Sequence, residues 1–241
     1  MKRLVRILVI SDLHGDLEAA WEALAQFHPD VLLSCGDWGD PDQVSEAELA
    51  AFPARLPVYT TFGNHDPLAV LPRLRNRDGS AMLLGQGDVC CVNGVRLAAI
   101  GGIWAKSHRK PHYVTDEDVA AFAAQIARCR PVDLLLTHGC PVGLADLTPQ
   151  GNHGGQRCFL DAFRTVAPRV HFCGHLHVPQ ERTLKDGRRV INVGHTPSGS
   201  VAVVEATEEG ISARLERFNR RSPEAAPDQT PAGQPSSGVK P

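Results

Sequence analysis

Short apolar runs rich in β-branched residues alternate with amphipathic segments over most of the chain. The runs at 4–10, 31–35, 58–62, 95–100, 133–137 and 170–173 predict strands. Between them, Leu17, Ala20, Trp21 and Leu24 recur at three and four, the period of one helix face, and Asp16 stands where a cap would. Val119, Phe122, Ala123 and Ile126 repeat that spacing, behind a capping-box-like start at Thr115 and Asp118. Phe159, Phe163 and Val166 mark a further helix. Strands alternating with helices predict α/β units. After Gly174 the pattern changes: 180–184, 188–193, 200–205 and 211–218 read as short strands separated by turns such as Asp186-Gly187, which predicts a closing antiparallel meander. From 220 to 241, prolines alternate with Ser, Gly, Gln and Ala and little is left to bury. The expected organisation is one domain over 1–219 and a disordered tail over 220–241, without internal repeats or an interior linker.

The strand ends carry the chemistry. Five of the runs finish in the same way: 8–11 leads into Asp12-Leu13-His14, 31–35 into Gly36-Asp37, 58–62 into Gly63-Asn64-His65-Asp66, 134–137 into His138-Gly139, and 170–173 into Gly174-His175-Leu176-His177. In α/β sheets, sites lie just beyond the carboxyl ends of the strands, so these residues can converge. Asp12, His14, Asp37, Asn64, His138, His175 and His177 offer nitrogen and oxygen donors with no thiolate. That set suits manganese foremost, with iron, zinc, nickel or cobalt also compatible, rather than a cysteine-zinc site or an all-oxygen calcium cage. The donors outnumber the ligands of one tetrahedral ion. Shared between two divalent cations ~3.5–4 Å apart, they predict a binuclear centre that stays net positive beside two aspartates and attracts phosphate.

Composition narrows the picture. The chain has 241 residues, 25 Lys+Arg against 27 Asp+Glu, and a pI near 6.6, which argues against a broad nucleic-acid-binding surface. No apolar run approaches the ~18 residues of a membrane-spanning helix. The start, Met1-Lys2-Arg3 and an apolar stretch broken by Arg6, runs into Ser11-Asp12 without a small-residue cleavage site, so it reads as a first strand and the protein as cytoplasmic. The seven cysteines show no C-x-x-C spacing and are expected as small buried residues in a reducing compartment.

Asp12-x-His14, Gly36-Asp37, Gly63-Asn64-His65-Asp66, His138 and Gly174-His175-x-His177, in this order, resemble the calcineurin-like metallophosphoesterase family. The stretch around Thr137-His138-Gly139-Cys140-Pro141 is similar to its small prokaryotic phosphoesterase and class III cyclic-nucleotide phosphodiesterase branches. The resemblance implies a four-layer αββα sandwich, two mixed sheets flanked by helices. It implies Asp12, His14, Asp37 and His177 at a first metal, Asp37, Asn64, His138 and His175 at a second, with Asp37 bridging and Asn64 also near the substrate. His65 would face the substrate phosphate rather than bind metal. The Arg-rich motif of Ser/Thr protein phosphatases is missing, since Trp38-Gly39-Asp40-Pro41 follows Asp37. Asp40 holds the place of an aspartate that orients the catalytic histidine there, and Asp66 is an equally near candidate.

The implied activity is hydrolysis of small phosphodiesters, nucleotides among them, and also of phosphomonoesters. A metal-activated hydroxide would attack in line, with His65 assisting the leaving group. A non-catalytic protein-interaction or nucleotide-sensing module on the same fold is the alternative, and oligomeric state stays open. His28, His112, His153 and His171 fall in no ligand motif and read as structural, whereas His195 stays open between a structural place and an approach to the site. The stretch 89–115 has four basic residues, Arg96, Lys106, Arg109 and Lys110, and no acidic one. It reads either as a solvated loop with a core Trp104 or as a leaving-group site with a nucleobase stacked on Trp104. Arg73, Arg75 and Arg77 read as a helix face and its following loop, or as a cleft wall.

Overall fold

A computed structural model describes residues 5–220. Leu4 of the predicted first strand, and the predicted tail from 221 on, lie outside the described residues. The chain builds two large sheets. The first contains β1 (Val5–Ile10), β2 (Val31–Ser34), β3 (Val58–Thr60), β12 (Ser200–Thr207) and β13 (Gly210–Arg217), in the order β13-β12-β1-β2-β3. The second contains β4 (Val89–Val92), β5 (Val95–Ile100), β8 (Leu134–Thr137), β9 (Val170–Cys173), β10 (Gln180–Thr183) and β11 (Arg189–Asn192), in the order β10-β11-β9-β8-β5-β4. A two-stranded ladder, β6 (Ile103–Trp104) and β7 (Tyr113–Val114), stands apart. Helices α1 (Leu17–Phe27), α2 (Glu46–Arg55), α3 (Asp116–Ala127) and α4 (Arg157–Val166) complete the element list.

Alternation along the strands explains the layers. Ile7, Val9 and Leu33 pack against Leu97, Leu136 and Phe172 in the core between the sheets. The intervening Leu8, Ile10 and Leu32 face Ala20 and Leu24 of α1 and Leu49 and Phe52 of α2. On the other side, Ala98, Ile100 and Leu135 face Val119 and Ile126 of α3 and Phe159 and Val166 of α4. The result is the expected αββα sandwich. With both faces covered, the central strands read as unbroken apolar runs. The predicted caps form: Asp16 accepts from the Ala19 amide, and Thr115 and Asp118 make a reciprocal capping box.

Several expectations need correction. The four C-terminal strands are not one meander. The hairpin β10–β11 joins the second sheet through β11, parallel to β9, while β12–β13 joins the first through β12, antiparallel to β1. Hairpin pairing is local, but the sheet a hairpin joins is set by long-range packing. Helix α2, closed by a Ser45–Glu48 capping box, escapes the periodicity because Pro53 sits in its last turn, where it cannot donate to the Leu49 carbonyl. The stretch 89–115 is not simply a loop, since it holds β4 to β7. Arg73 closes a short 3₁₀ turn and pairs with Glu46, and Arg75 bonds the Pro72 and Leu74 carbonyls. Cys35, Cys140, Cys158 and Cys173 are buried as expected, but Cys91 and Cys129 are exposed.

Candidate metal centre

The ends of β1, β2, β3, β8 and β9 meet at one edge of the sandwich. The turn after β1 is laced to the turn after β2: the Asp12 amide donates to Gly36 O at 3.0 Å, and those of Leu13 and His14 to Asp37 O at 2.7 and 3.1 Å. The turn after β3 is pinned by Asp66, whose buried carboxylate accepts from the amides of Asp37 (2.7 Å), Trp38 (2.9 Å) and Gly63 (2.7 Å). From the second sheet, His138 Nδ1 meets Cys35 O at 2.9 Å, and the His175 amide donates to both oxygens of Asp12.

This crowding selects glycine at two points. A Cβ on Gly63 would lie 2.2 Å from Asp37 Oδ1 and 2.5 Å from His138 Cε1, and one on Gly174 would lie 2.4 Å from Asp12 Oδ2. It also forces the left-handed region on non-glycine residues. Asp12, His14, Asp37, His175 and His177 all have φ between 47° and 67°. Such strain clusters where side chains must be aimed.

The side chains converge into three overlapping groups, Asp12 with His14 and His177, Asp12 with Asp37 and His138, and His14 with Asp37 and His65, each with donor atoms within 4.8 Å of one another. His14 Nε2 and His177 Nε2 are 3.0 Å apart. Asp37 Oδ2 lies 3.2 Å from His138 Nε2 and 3.8 Å from His14 Nε2, and Asp12 Oδ1 lies 3.3 Å from His177 Nε2. The His175 ring stacks edge-on to His138 at 5.1 Å.

Two features test whether cations fit. His138 Nδ1 donates to Cys35 O, which in the neutral ring leaves a lone pair on Nε2. That Nε2 makes no well-directed hydrogen bond, although Asp37 Oδ2 lies 3.2 Å away, and Asn64 Oδ1 is buried without a partner. Buried polar atoms left unpaired are costly. Here both belong to the predicted ligand set. The donors are mixed nitrogen and oxygen, as divalent transition metals take. The residues fit.

Electrostatics tells the same story. Burial would raise Asp37, but the His138 imidazole, the His65 amide and His14 hold its carboxyl well below the usual carboxylate range. Burial would lower His138, but Asp37 and Asp12 push it up to about 10. His175, buried and close to His138, falls to about 4. Burial and Asp37 push Asp66 up to about 7 against its three amide donors.

His65 joins this cluster through its group with His14 and Asp37. Its amide donates to Asp37 Oδ1 at 2.7 Å, its ring lies edge-on to His14 at 5.0 Å, and its Nδ1 is 2.9 Å from Asp40 Oδ2. Of the two carboxylates considered for orienting it, Asp40 makes the contact, while Asp66 is committed to backbone. Trp104 is not brought into this group: it packs on the α3–α4 side and donates its indole N–H to Asp116. His112 contacts Asp66 O, His153 contacts buried Asp146, His171 contacts Thr137, and His28 closes α1 in the left-handed region. His195 does reach the site, its ring stacked on His177 at 5.1 Å. Its place after Asn192-Val193-Gly194 at a strand end is the same signal that marks the other five ends.

Comparison with known proteins agrees with this geometry. The family described as calcineurin-like phosphoesterase matches residues 5–179. Lariat debranching enzyme of Drosophila pseudoobscura pseudoobscura is 24% identical over 230 residues, covering 72% of this chain and 42% of the relative. The chain therefore spans under half the length of that relative. Among solved structures, a Thermus thermophilus protein superposes with a TM-score of 0.66 at 16% identity, covering 88% of this chain and 99% of the other. A dimetal phosphatase from Danio rerio superposes with a TM-score of 0.59 at 14% identity, covering 89% and 99%. These structures share the fold.

Proposed function

Because the chain belongs to the calcineurin-like phosphoesterase family, we propose that it is a binuclear-metal hydrolase of small phosphodiesters, nucleotides among them, with phosphomonoesters as further substrates. Asp12, His14, Asp37 and His177 would hold one divalent cation, and Asp37, Asn64, His138 and His175 the other, manganese foremost. When bound, the cations supply a nucleophilic oxygen at neutral pH and neutralise the charge that builds at phosphorus. Asp37 suits the shared position because one oxygen faces His138 and His14 while the other accepts the His65 amide.

His65 is reachable from solvent, with 41% of its side chain exposed. Asp40 accepts from its Nδ1–H, which sets the ring so that Nε2 can deliver a proton to the departing oxygen. Asp66 touches none of the reacting groups in this reading; it fixes the backbone from which Asp37 and His65 project. Among the described residues no helix is long and apolar enough to cross a membrane. A cytoplasmic place is proposed on the seven free thiols, which suit a reducing compartment.

The observation that carries the proposal is the convergence of two aspartates and four imidazoles in overlapping groups of possible ligand atoms, with Asn64 Oδ1 on the turn after β3 buried and unpaired. The test is hydrolysis of bis-p-nitrophenyl phosphate and p-nitrophenyl phosphate with manganese and with chelator, alongside bound-metal analysis. Turnover abolished by chelator and restored by manganese is expected. Bound metal without turnover of either ester would favour the non-catalytic module.

A further inference from the structure

His195 belongs to none of the groups whose donor atoms converge within 4.8 Å, yet it stands at the same mouth. Its ring stacks on His177 at 5.1 Å and lies 6.1 Å from His14. His65 flanks His14 at 5.0 Å. The His14 ring is thus bordered by three imidazoles from remote parts of the chain, His65 on the turn after β3, His177 on the turn after β9 and His195 on the turn after β11. Nothing about His195 is loosely held. The next residue, Thr196, donates its amide to Ser11 O and accepts the Ser11 amide on Oγ1, both at 3.0 Å, which clamps this turn onto the end of β1 beside Asp12. His195 Nδ1 is 2.8 Å from Ser198 Oγ within its own 3₁₀ turn, Thr196–Ser198. A serine hydroxyl can donate to that nitrogen, which leaves the ring proton on Nε2. Nε2 takes part in no hydrogen bond among the described residues. A half-buried donor, fixed at the mouth of a cation site but outside its ligand groups, is suited to the anion that the cations attract.

We propose that His195 is a second substrate-contacting imidazole, donating Nε2–H to a non-bridging oxygen of the phosphate group while His65 serves the leaving oxygen. This deepens, and rests on, the reading of the site as one for phosphate esters.

The test measures inorganic phosphate binding to the manganese-loaded full chain by calorimetry, with manganese content determined in parallel. His195→Ala should weaken phosphate about tenfold, as loss of one charge-assisted hydrogen bond does, with manganese content unchanged. His195→Gln, whose amide N–H₂ reaches about as far as Nε2, should stay within about threefold of the parent. Phosphate affinity in His195→Ala within twofold of the parent overturns the proposal, as does failure of the parent to bind phosphate. Loss of manganese from both variants also overturns it, making His195 a support for the cation site instead. A parent that binds manganese and phosphate but hydrolyses neither nitrophenyl ester sinks the hydrolase reading while leaving this contact in place. A parent that hydrolyses them, with the variant's phosphate affinity unmoved, sinks this contact alone.

Discussion

The two sheets contribute unequally to the site. The first supplies the carboxylates Asp12 and Asp37, the amide Asn64 and the imidazoles His14 and His65, on turns knitted together by backbone. Three amides converge on Asp66, and four more link the turns after β1 and β2. The second supplies imidazoles, His138, His175 and His177, attached to the first half through fewer bonds: His138 Nδ1 to Cys35 O, and the His175 amide to Asp12. The first half, which holds both carboxylates, is a rigid backbone web, and the second half, which brings only imidazoles, closes over it. Damage to the first should therefore propagate, whereas damage to the second should stay local.

The largest expected effect is at the junction. Asp37→Ala should strip at least one cation and lower turnover by about 10⁴-fold or more, since several kcal/mol of charge stabilisation disappear; metal analysis with nitrophenyl ester kinetics checks this, and normal turnover would end the two-cation reading. Next is His65→Ala, expected to keep its metals and fold yet lose about a hundredfold in kcat, the low end for a positioned general acid. The loss should be largest on esters with poor leaving groups. Loss of metal in this variant would make His65 a ligand instead.

Asp66→Asn sharpens the contrast in rigidity. Its carboxylate serves three amides, and an asparagine turns one acceptor oxygen into a donor, so at least one buried N–H loses its partner. A destabilisation of about 2 kcal/mol is expected, read by denaturant titration. Removal of a single imidazole of the second half, as in His175→Ala, should cost less stability than this if the comparison holds.

The smallest effect concerns protons. His138, pushed up to about 10 by Asp37 and Asp12, carries a proton in the metal-free protein that a cation must displace. Metal affinity should therefore tighten with rising pH, by up to about tenfold per unit for one displaced proton, with proton release detectable in buffers of different ionisation enthalpy. The sign for stability is opposite. The raised folded pKa contributes stability that is complete below the unfolded value near 6.5 and is lost as pH rises toward 10, so the melting temperature of the chelated protein should fall across that window.

Local signals were legible where a short-range rule governs them. The caps at Asp16 and at Thr115 with Asp118 follow from hydrogen-bond geometry within a few residues. The strand ends follow from apolar runs stopping at Gly, Asp and His. Helix α2 was hidden because Pro53 breaks the local rule while packing tolerates it. Asp40 and Asp66 were equally placed in the text, and only the fold turned one toward His65 and the other toward backbone amides.

What the amino-acid order determined by itself is the alternation of elements and the kind of donor each strand end carries, because burial and side-chain chemistry are written residue by residue. What only the tertiary structure decided is adjacency: which sheet each C-terminal hairpin joins, that Asp66 pins two turns through three amides, that His195 stands beside His177. Those depend on contacts between residues far apart in the chain, whose register is set by the packing of two sheets and not by any local period.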